Sequence, residues 1–508
     1  MSFLTRSFNI KSFWFLLILG ISLATGQMPF DLPYLAFSAL VLLGYYWIKH
    51  QPKSFESFIW GFAFGFGYFG ITFFWIVEPF LVESEKTGWL APIALFFLVI
   101  FLSFILSLCF FLAAVVGHGR TKNQRLIIFF LFFLSSELAR SELIFNFPWG
   151  LISSIWINTP FSQSLALFGP YWLSGLTILC AFLLSRVWVG TITALLIILA
   201  LYVFGHYRLS LPLVERTNPV KIRIVQPNIQ QSEKWNPELA ATFLNRHISL
   251  SKSALETGVD LIVWPETSVS YEIMDNLKLR DGISSELRLS LLLGARRFDK
   301  ENKKLFNSAF LLAENGDIIE IYDKIKLVPF GEYIPFGEFL SSLNILGLAS
   351  DGLIGFSSGK ENGIFKTKKL GFFKIWICYE AIFSEDQKNW DKRPSWIINI
   401  TNDAWFGAFS GPYQHLTLAR MRAIESGLPM VRSANTGISA MIGPFGRILS
   451  QLNLETRGYI EEFLPKGSQP TLYSRLGPTF CNFLLTIVVL LTIVSLIFIS
   501  LVNRYKSS

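Results

Sequence analysis

The sequence predicts two structural classes in one chain: a bundle of eight transmembrane helices, and an α/β domain set between the seventh and the eighth. Three observations predict it. Charged residues are only 16% of the 508, against roughly 25% in a soluble globular protein, while 52% are hydrophobic and 16% aromatic. Apolar runs recur through the first 205 residues, each close to the roughly 20 residues that cross a bilayer. A polar stretch from about 207 to 474 then carries short strand-like runs, before a last apolar run at 478–502. The expected domains are therefore 1–206, 207–474 and 475–508.

The spans are placed near 10–26, 32–48, 57–77, 89–116, 126–145, 164–185, 187–205 and 478–502. The first is not expected to be a cleaved signal, because further spans follow at once and ATGQMPF is a poor cleavage site. Loop charge sets the orientation. Arg6, Lys11, Lys49, Lys53, Arg120, Lys122, Arg125, Arg186, Arg504 and Lys506 fall on one side, and the alternate loops carry Lys86 and little else basic. Under the positive-inside rule both termini are cytoplasmic and the polar domain lies outside the cytoplasm. The net charge of +8 reads as topology rather than nucleic-acid binding. Glu137, Arg140 and Glu142 interrupt the fifth span, where charges are costly; a structural ion pair near its outer end is expected. Phe147, Pro148 and Trp149 suit an interfacial anchor.

Within the polar domain, strands are expected at 221–229, at 260–267 stopping at Pro265, at 374–378 and at 395–403. Residues 306–322 read as a hairpin around Asn315-Gly316, a strong turn signal. Helices are expected at 237–257 and 414–427, a helix-to-strand stretch at 283–293, and two strands within 430–449. Strands interspersed with helices predict a sheet layered with helices. No dinucleotide or Walker glycine motif occurs. Cys109, Cys180 and Cys481 lie in apolar runs and Cys378 alone in the polar region, so no disulfide framework is expected. The five histidines lack ligand spacing, and no metal or cofactor is expected.

Three polar residues stand at the ends of expected strands. Cys378 closes the run Lys374–Ile377, where a rigidly held thiol faces a cleft. Glu266 follows Val263-Trp264-Pro265, a partly apolar setting for a base. Lys324 follows the second hairpin strand, placed to stabilise a thiolate and then an oxyanion, while Lys326 reads as a solvated surface charge. Glu332 is placed to pair with Lys324 or to orient Glu266. A base, a thiol and a cation suffice for acyl transfer. Taken singly, each has a plainer reading: a packed thiol, a turn carboxylate, a surface lysine.

The stretches WPET, YDKIKLVPFGEYIP and ICYE resemble the three catalytic blocks of the nitrilase superfamily. That resemblance implies an αββα sandwich with a Glu-Lys-Cys triad. With seven spans before and one after, and with QPNIQQSEKW, TNDAWFG and QHLTLARMRAIESGLPMVRSANTG in place, nearly the whole chain resembles the bacterial apolipoprotein N-acyltransferase family. By motif, Glu266 is then the general base, Lys324 the oxyanion and thiolate stabiliser and Cys378 the nucleophile. Glu332 and Glu380 match supporting acids, Trp235, Tyr379 and Trp405 substrate-contacting aromatics, and Arg432 polar support at the substrate site. Pro227, where a glycine is expected, and Asn435-Thr436-Gly437, where NNG is commoner, depart from the family pattern in loops.

The resemblance implies a phospholipid acyl donor, a diacylglyceryl apolipoprotein acceptor, membrane lipids around the protein, no nucleic acid and a monomer. It implies the bacterial inner membrane, with the catalytic domain on the periplasmic side. Both substrates are lipids, so an apolar gate is expected, and 329–359 is rich in Phe336, Phe339, Leu340, Leu343, Ile345, Leu346, Leu348, Leu353, Ile354 and Phe356. Trp405-Phe406-Gly407 is a second such element. Two other readings compete. A membrane-tethered amidase using water needs one tether, not seven leading spans. A transporter or receptor spreads intramembrane charge over several spans, whereas here it sits in one.

Overall fold

The computed structural model describes residues 9–144, 146–186, 189–333, 355–384 and 392–507. The chain forms two compact units. One comprises Met1–Val77, Pro92–Ser210 and Arg475–Ser508, the other Glu78–Ala91 and Leu211–Ser474.

The first unit is helical. Its helices are Ile10–Ala24, Pro33–His50, Ser54–Thr72, Leu90–Gly117, Lys122–Leu138, Pro170–Leu184, Val189–Ser210 and Pro478–Ser507. Among the described residues, Leu90–Gly117, Gly190–Ser210 and Pro478–Leu496 are long and apolar enough to cross a membrane; Ser54–Thr72 joins them if it is taken with Phe74–Leu81, bent by 62°. That is fewer than the eight spans expected, and local breaks account for part of the shortfall. The run at 126–145 passes into a π-helical turn, Ala139–Ile144. The run at 164–185 breaks at Gly169, whose φ of 87° suits glycine ahead of Pro170. Glycine also allows close helix contact. A Cβ on Gly20 would lie 2.0 Å from the Phe64 carbonyl oxygen, and one on Gly67 2.3 Å from that of Leu17. The charges at 137–142 hydrogen-bond to the backbone and to a neighbouring helix. Glu137 accepts from the Ile152 N–H at 2.6 Å, and Arg140 donates to the carbonyls of Phe147, Trp149 and Gly150 at 3.0, 2.5 and 3.2 Å. Glu142 accepts from Asn482 at 3.0 Å.

The second unit holds two six-stranded sheets. The first is built from β1 (Lys221–Gln226), β2 (Leu261–Val263), β3 (Leu291–Asp299), β4 (Lys304–Leu312), β5 (Ile318–Asp323) and β12 (Gly458–Phe463), in the order β12-β1-β2-β3-β4-β5. The second takes β6 (Ile364–Thr367), β7 (Gly371–Ile377), β8 (Trp396–Thr401), β9 (Met430–Ala434), β10 (Ser439–Ile442) and β11 (Ile448–Leu452), in the order β11-β10-β9-β8-β7-β6. Each has a parallel centre, β1-β2-β3 and β7-β8-β9, flanked by antiparallel pairs.

Period-2 alternation assigns the faces. Ile262, Trp264, Leu291, Leu293 and Phe310 form one core with Ile283 and Leu287 of the helix Leu277–Leu287. Trp376, Ile397 and Met430 form another with Leu416, Ala419 and Ala423 of the helix Gly411–Ser426. The opposite faces meet: the Ser433 hydroxyl on β9 bonds the carbonyls of Val225 at 3.0 Å and Val263 at 3.3 Å. Helix, sheet, sheet, helix is the layering. Because both faces are covered, strands such as Trp396–Thr401 are buried throughout and are mostly apolar, with Asn399 and Thr401 the polar exceptions.

Residues 430–449 were expected to hold two strands; they hold β9, β10 and the start of β11, with Gly443–Gly446 turning between the last two. β6 and β12 had no expected counterpart. Both are sheet edges, and their Lys366, Glu461 and Glu462 give them the polar composition that protects exposed strand edges. β12 is held by charge. Arg223 and Glu461 lie opposite one another in the register, and the fully buried guanidinium donates to the Glu461 carboxylate at 2.9 Å from Nε. Lys221 pairs with the same carboxylate at 2.7 Å. Burial acts to raise the Glu461 pKa, but hydrogen bonds from Lys221, Thr257 and Arg223 outweigh it and bring it down to about 2. A depressed carboxyl stabilises the fold above its unfolded value and loses that contribution as pH falls through the folded one. Stability tied to Glu461 should therefore fade between pH about 4.5 and about 2. Glu461→Gln should cost roughly 2 kcal/mol at neutral pH and flatten that acid limb, as read by thermal melts across pH.

Candidate active site

The strand directions bring the three expected residues to one edge. β2 runs parallel to β3, and β5, antiparallel to β4, which is antiparallel to β3, points the same way. Glu266 just beyond β2 and Lys324 just beyond β5 therefore emerge at the same end. In the facing sheet β7 and β8 are parallel, so Cys378 and Asn402 also share an end. The two ends coincide, because the Asn402 N–H donates to Glu266 Oε2 at 2.8 Å. Asn435, beyond β9, accepts from the Ile229 N–H at 2.9 Å, closing the edge on the other side.

Lys324 is the charge at the centre, with 1% of its side chain exposed. Its Nζ lies 2.9 Å from Glu332 Oε1 and 3.5 Å from Glu266 Oε1. The Asn307 amide on β4 donates to both carboxylates, at 2.7 Å to Glu266 and 2.9 Å to Glu332. The Val328 N–H donates to Glu332 Oε2 at 2.8 Å. Burial pulls the Lys324 pKa down, but the charges of Glu332, Glu266 and Cys378 overcome it and raise it above its ordinary value. Lys324 is therefore a fixed ammonium. Glu332 pairs with it directly, one of the two roles the sequence suggested.

Cys378 is buried, with a φ of 51°. That left-handed backbone strains a non-glycine residue and persists only where its surroundings enforce it. Here strand β7 ends and a 3-10 turn, Cys378–Ile382, begins at once. The Glu380 carboxylate folds back onto the Ile377 N–H at 2.7 Å. Its other oxygen takes the Tyr322 hydroxyl at 2.7 Å and the N–H groups of Ile325 at 2.8 Å and Lys326 at 3.2 Å. One carboxylate thus ties the strand carrying Cys378 to the loop carrying Lys324.

On the other side of Cys378, His415 Nε2–H donates to its carbonyl at 3.2 Å. His415 Nδ1 lies 2.9 Å from Asp403, which also takes Arg432 at 2.6 Å and Thr401 at 2.8 Å. Burial acts to raise the Asp403 carboxyl, but Arg432 and His415 hold it well below the usual range. Burial and the Glu266 charge push the Cys378 thiol up, Lys324 pulling against them. Burial thus favours the neutral thiol over the thiolate at Cys378.

The other expected residues fall in different places. Arg432 is entirely buried, its guanidinium engaged with Asp403, Asn399 and His415. That location suits support beneath the site rather than contact with a substrate. Tyr379 is buried edge-to-face against Phe383, with 5.1 Å between ring centroids. Trp405 is half-buried on the 3-10 turn Asp403–Phe406. Trp235 is half-buried, with the Arg296 guanidinium 4.0 Å from its ring. Lys326, expected to be solvated, is half-buried with its ammonium 3.9 Å from the Phe383 ring. Of the apolar gate, Phe336, Phe339, Leu340, Leu343, Ile345, Leu346, Leu348, Leu353 and Ile354 lie outside the described residues, and Phe356 is buried.

Sequence reasoning missed Asn307, Asn402, Asp403, His415 and Lys234. Four of the five carried a signal. Asn307 is polar within the mostly apolar strand KLFNSAFLL, Asn402 and Asp403 follow the buried strand WIINIT, and Lys234 precedes a singled-out tryptophan.

A two-sheet sandwich with a buried cysteine, glutamate and lysine at one edge defines a carbon–nitrogen hydrolase domain, and the carbon–nitrogen hydrolase family model matches residues 221–465. The apolipoprotein N-acyltransferase N-terminal domain matches residues 19–183. The chain is 34% identical over 459 residues to the apolipoprotein N-acyltransferase of Rhodopseudomonas palustris, covering 85% of each chain. It is 34% identical over 434 residues to that of Rickettsia bellii, covering 82% of this chain and 85% of the relative. Among solved structures, Nit3 of Saccharomyces cerevisiae, of the nitrilase superfamily, aligns with a TM-score of 0.37 at 20% identity, over 50% of this chain and 93% of that one. The chain belongs to the apolipoprotein N-acyltransferase family.

Glu380→Ala should leave three backbone N–H groups and the Tyr322 hydroxyl without their acceptor. Stability should fall by roughly 3 kcal/mol. Glu361→Ala, at an exposed position, should change it by less than about 0.5 kcal/mol. Thermal melts of the two variants beside the parent check the pair.

Proposed function

We propose that this protein is an N-acyltransferase that moves an acyl chain from a phospholipid, through a thioester on Cys378, to the α-amine of the diacylglyceryl-cysteine that begins an apolipoprotein. This is the last step of lipoprotein maturation. Family membership supports the reaction. One geometric observation carries the mechanism: a strained, buried thiol at the edge where Glu266 and Lys324 are already bonded.

In the first half-reaction Glu266 takes the Cys378 proton and the thiolate attacks the ester carbonyl of the lipid. The negative charge that develops on the carbonyl oxygen falls to the Lys324 ammonium, whose raised pKa keeps it charged throughout. The C–O bond breaks, Glu266 returns its proton to the departing alkoxide, and a lysophospholipid leaves. In the second half-reaction the acceptor amine attacks the thioester, Glu266 takes the amine proton, and the C–S bond breaks. The sulfur recovers that proton, which restores the resting thiol. Glu332 and Glu380 hold Lys324 and Cys378 in place; Trp235, Tyr379 and Trp405 are assigned to substrate contact.

The same reading assigns eight spans, three domains at 1–206, 207–474 and 475–508, and a monomer. It places the protein in the bacterial inner membrane, with both termini cytoplasmic and the catalytic domain periplasmic. Alternation of basic loops supports the orientation, and eight helices at the expected apolar runs support the count. The shorter of these, such as Ile10–Ala24, span by tilting little and thinning the bilayer locally.

Incubation with phospholipid followed by intact-mass measurement should show one acyl adduct on Cys378. Cys378→Ala should show none, and Glu266→Gln and Lys324→Ala at least a hundredfold less, on the order of the loss of a general base or an oxyanion donor. Wild-type protein that acylates a lipopeptide without ever carrying the adduct would rule out the covalent route. Free fatty acid in place of acylated peptide would favour the amidase reading.

A further inference from the structure

Lys234 is a buried amine that the mechanism above does not use. It lies between β1 and the helix Ala240–Ser251, with 4% of its surface exposed. Its Nζ donates to the main-chain carbonyl of Glu266 at 3.1 Å. Its own carbonyl takes the Ser270 hydroxyl at 3.3 Å. Three residues earlier, Gln231 Oε1 takes the side-chain amide of Asn402 at 2.6 Å, and Asn402 in turn bonds the Glu266 carboxylate. The turn 231–234 thus grips Glu266 twice, once through its backbone and once through Asn402. An ordinary structural lysine puts its ammonium in water. Full burial of this one against the general base calls for another account.

Charge supplies it. Glu266 and Glu332 bring two negative charges into the site, and Lys324 offsets one of them. Proton transfer from Cys378 to Glu266 leaves that total unchanged but moves a negative charge onto the sulfur. Counted over Glu266, Glu332, Lys324, Lys234 and Cys378, the charge sums to zero before and after the transfer when Lys234 is protonated; without that ammonium the same groups carry one more negative charge as the thiolate forms. The groups acting on Lys234 are Glu266, beyond β2, and Cys378, beyond β7. His247, facing it from the helix Ala240–Ser251, is held neutral, its pKa pushed down to about 3 by burial, and adds no charge.

We infer that Lys234 is a positioning residue of the acyl-transfer site, a second ammonium that fixes the Glu266 backbone and stabilises the Cys378 thiolate. The inference rests on Cys378 being the nucleophile of the proposed reaction. Burial lowers the Lys234 pKa to about 8, with Glu266 and Cys378 pulling it back up. The amine is therefore charged below that pH and neutral above it, and its support for the thiolate is withdrawn across the mildly alkaline range.

The test uses the full-length protein in detergent and reads Cys378 alkylation by iodoacetamide with peptide mapping, which needs no acyl donor. Acyl-enzyme formation from phospholipid is followed in parallel. For the wild type, the alkylation rate should climb with pH and bend downward near pH 8. Lys234→Met and Lys234→Gln should alkylate at least about tenfold more slowly at pH 7, the equivalent of one pKa unit on the thiol, with no bend. Lys234→Arg, charged at every pH tested, should recover most of the neutral rate and also lack the bend. Wild-type rates and a wild-type bend in Lys234→Met or Lys234→Gln overturn the inference. So does a loss of reactivity that tracks loss of the melting transition in all three variants, since a purely structural amine explains that. Absence of an acyl-enzyme in the wild type defeats the proposed reaction instead, while the alkylation profiles still decide the role of Lys234.

Discussion

A lysine ammonium stripped of water is tolerated only beside compensating charge, and Lys324 is such a group. Its two carboxylate neighbours come from different parts of the chain, Glu332 from the following loop and Glu266 from the end of a distant strand. Those carboxylates are themselves buried, and each needs further donors: Asn307 for both, Asn402 for one and Val328 for the other. The cluster therefore forms only when both sheets are complete and in register. Shifting a strand by one residue would turn its polar terminus to the other face and leave a buried charge without a partner.

The double-layered architecture makes that convergence routine. Parallel centres send successive strand ends to one edge, where polar residues leave the apolar interior together. Glu266, Lys324, Cys378 and Asn402 each lie one to three residues past a strand. What differs between them is how the backbone is held there. Glu266 and Lys324 keep ordinary geometry, whereas Cys378 adopts a left-handed φ sustained by Glu380 on one side and His415 on the other. The left-handed backbone at Cys378 is thus held by buried hydrogen bonds, those of the Glu380 carboxylate charge-assisted.

The resting protonation states suit a two-step transfer. A thiol kept neutral by burial is a poor target for adventitious electrophiles, and in the proposed reaction it becomes a nucleophile only as Glu266 accepts its proton. On the same proposal Lys324 is charged in advance, so the site need not reorganise as the oxyanion develops. In the helical unit the polar groups do something else. Arg140 and Glu137 cap the irregular backbone at 147–152, replacing the hydrogen bonds that a continuous helix would have made there.

By itself the sequence determined whatever depends on neighbours along the chain. The Asn315-Gly316 hairpin, the buried strands ending at Ile377 and Thr401, the apolar helices and the blocks that carry the family resemblance are all local patterns, and all were legible. Edge strands β6 and β12 were not, because an edge is made polar to avoid pairing and so loses the apolar signature of a strand. Nor was the second ring of the site. Asn307, Asn402, His415 and Lys234 owe their places to hydrogen bonds across tens of residues or more, and Arg432 is buried against the Asp403 it meets. Only the tertiary structure decided those, since the cost of burying a charge depends on which partner reaches it, and separation along the chain does not report that distance.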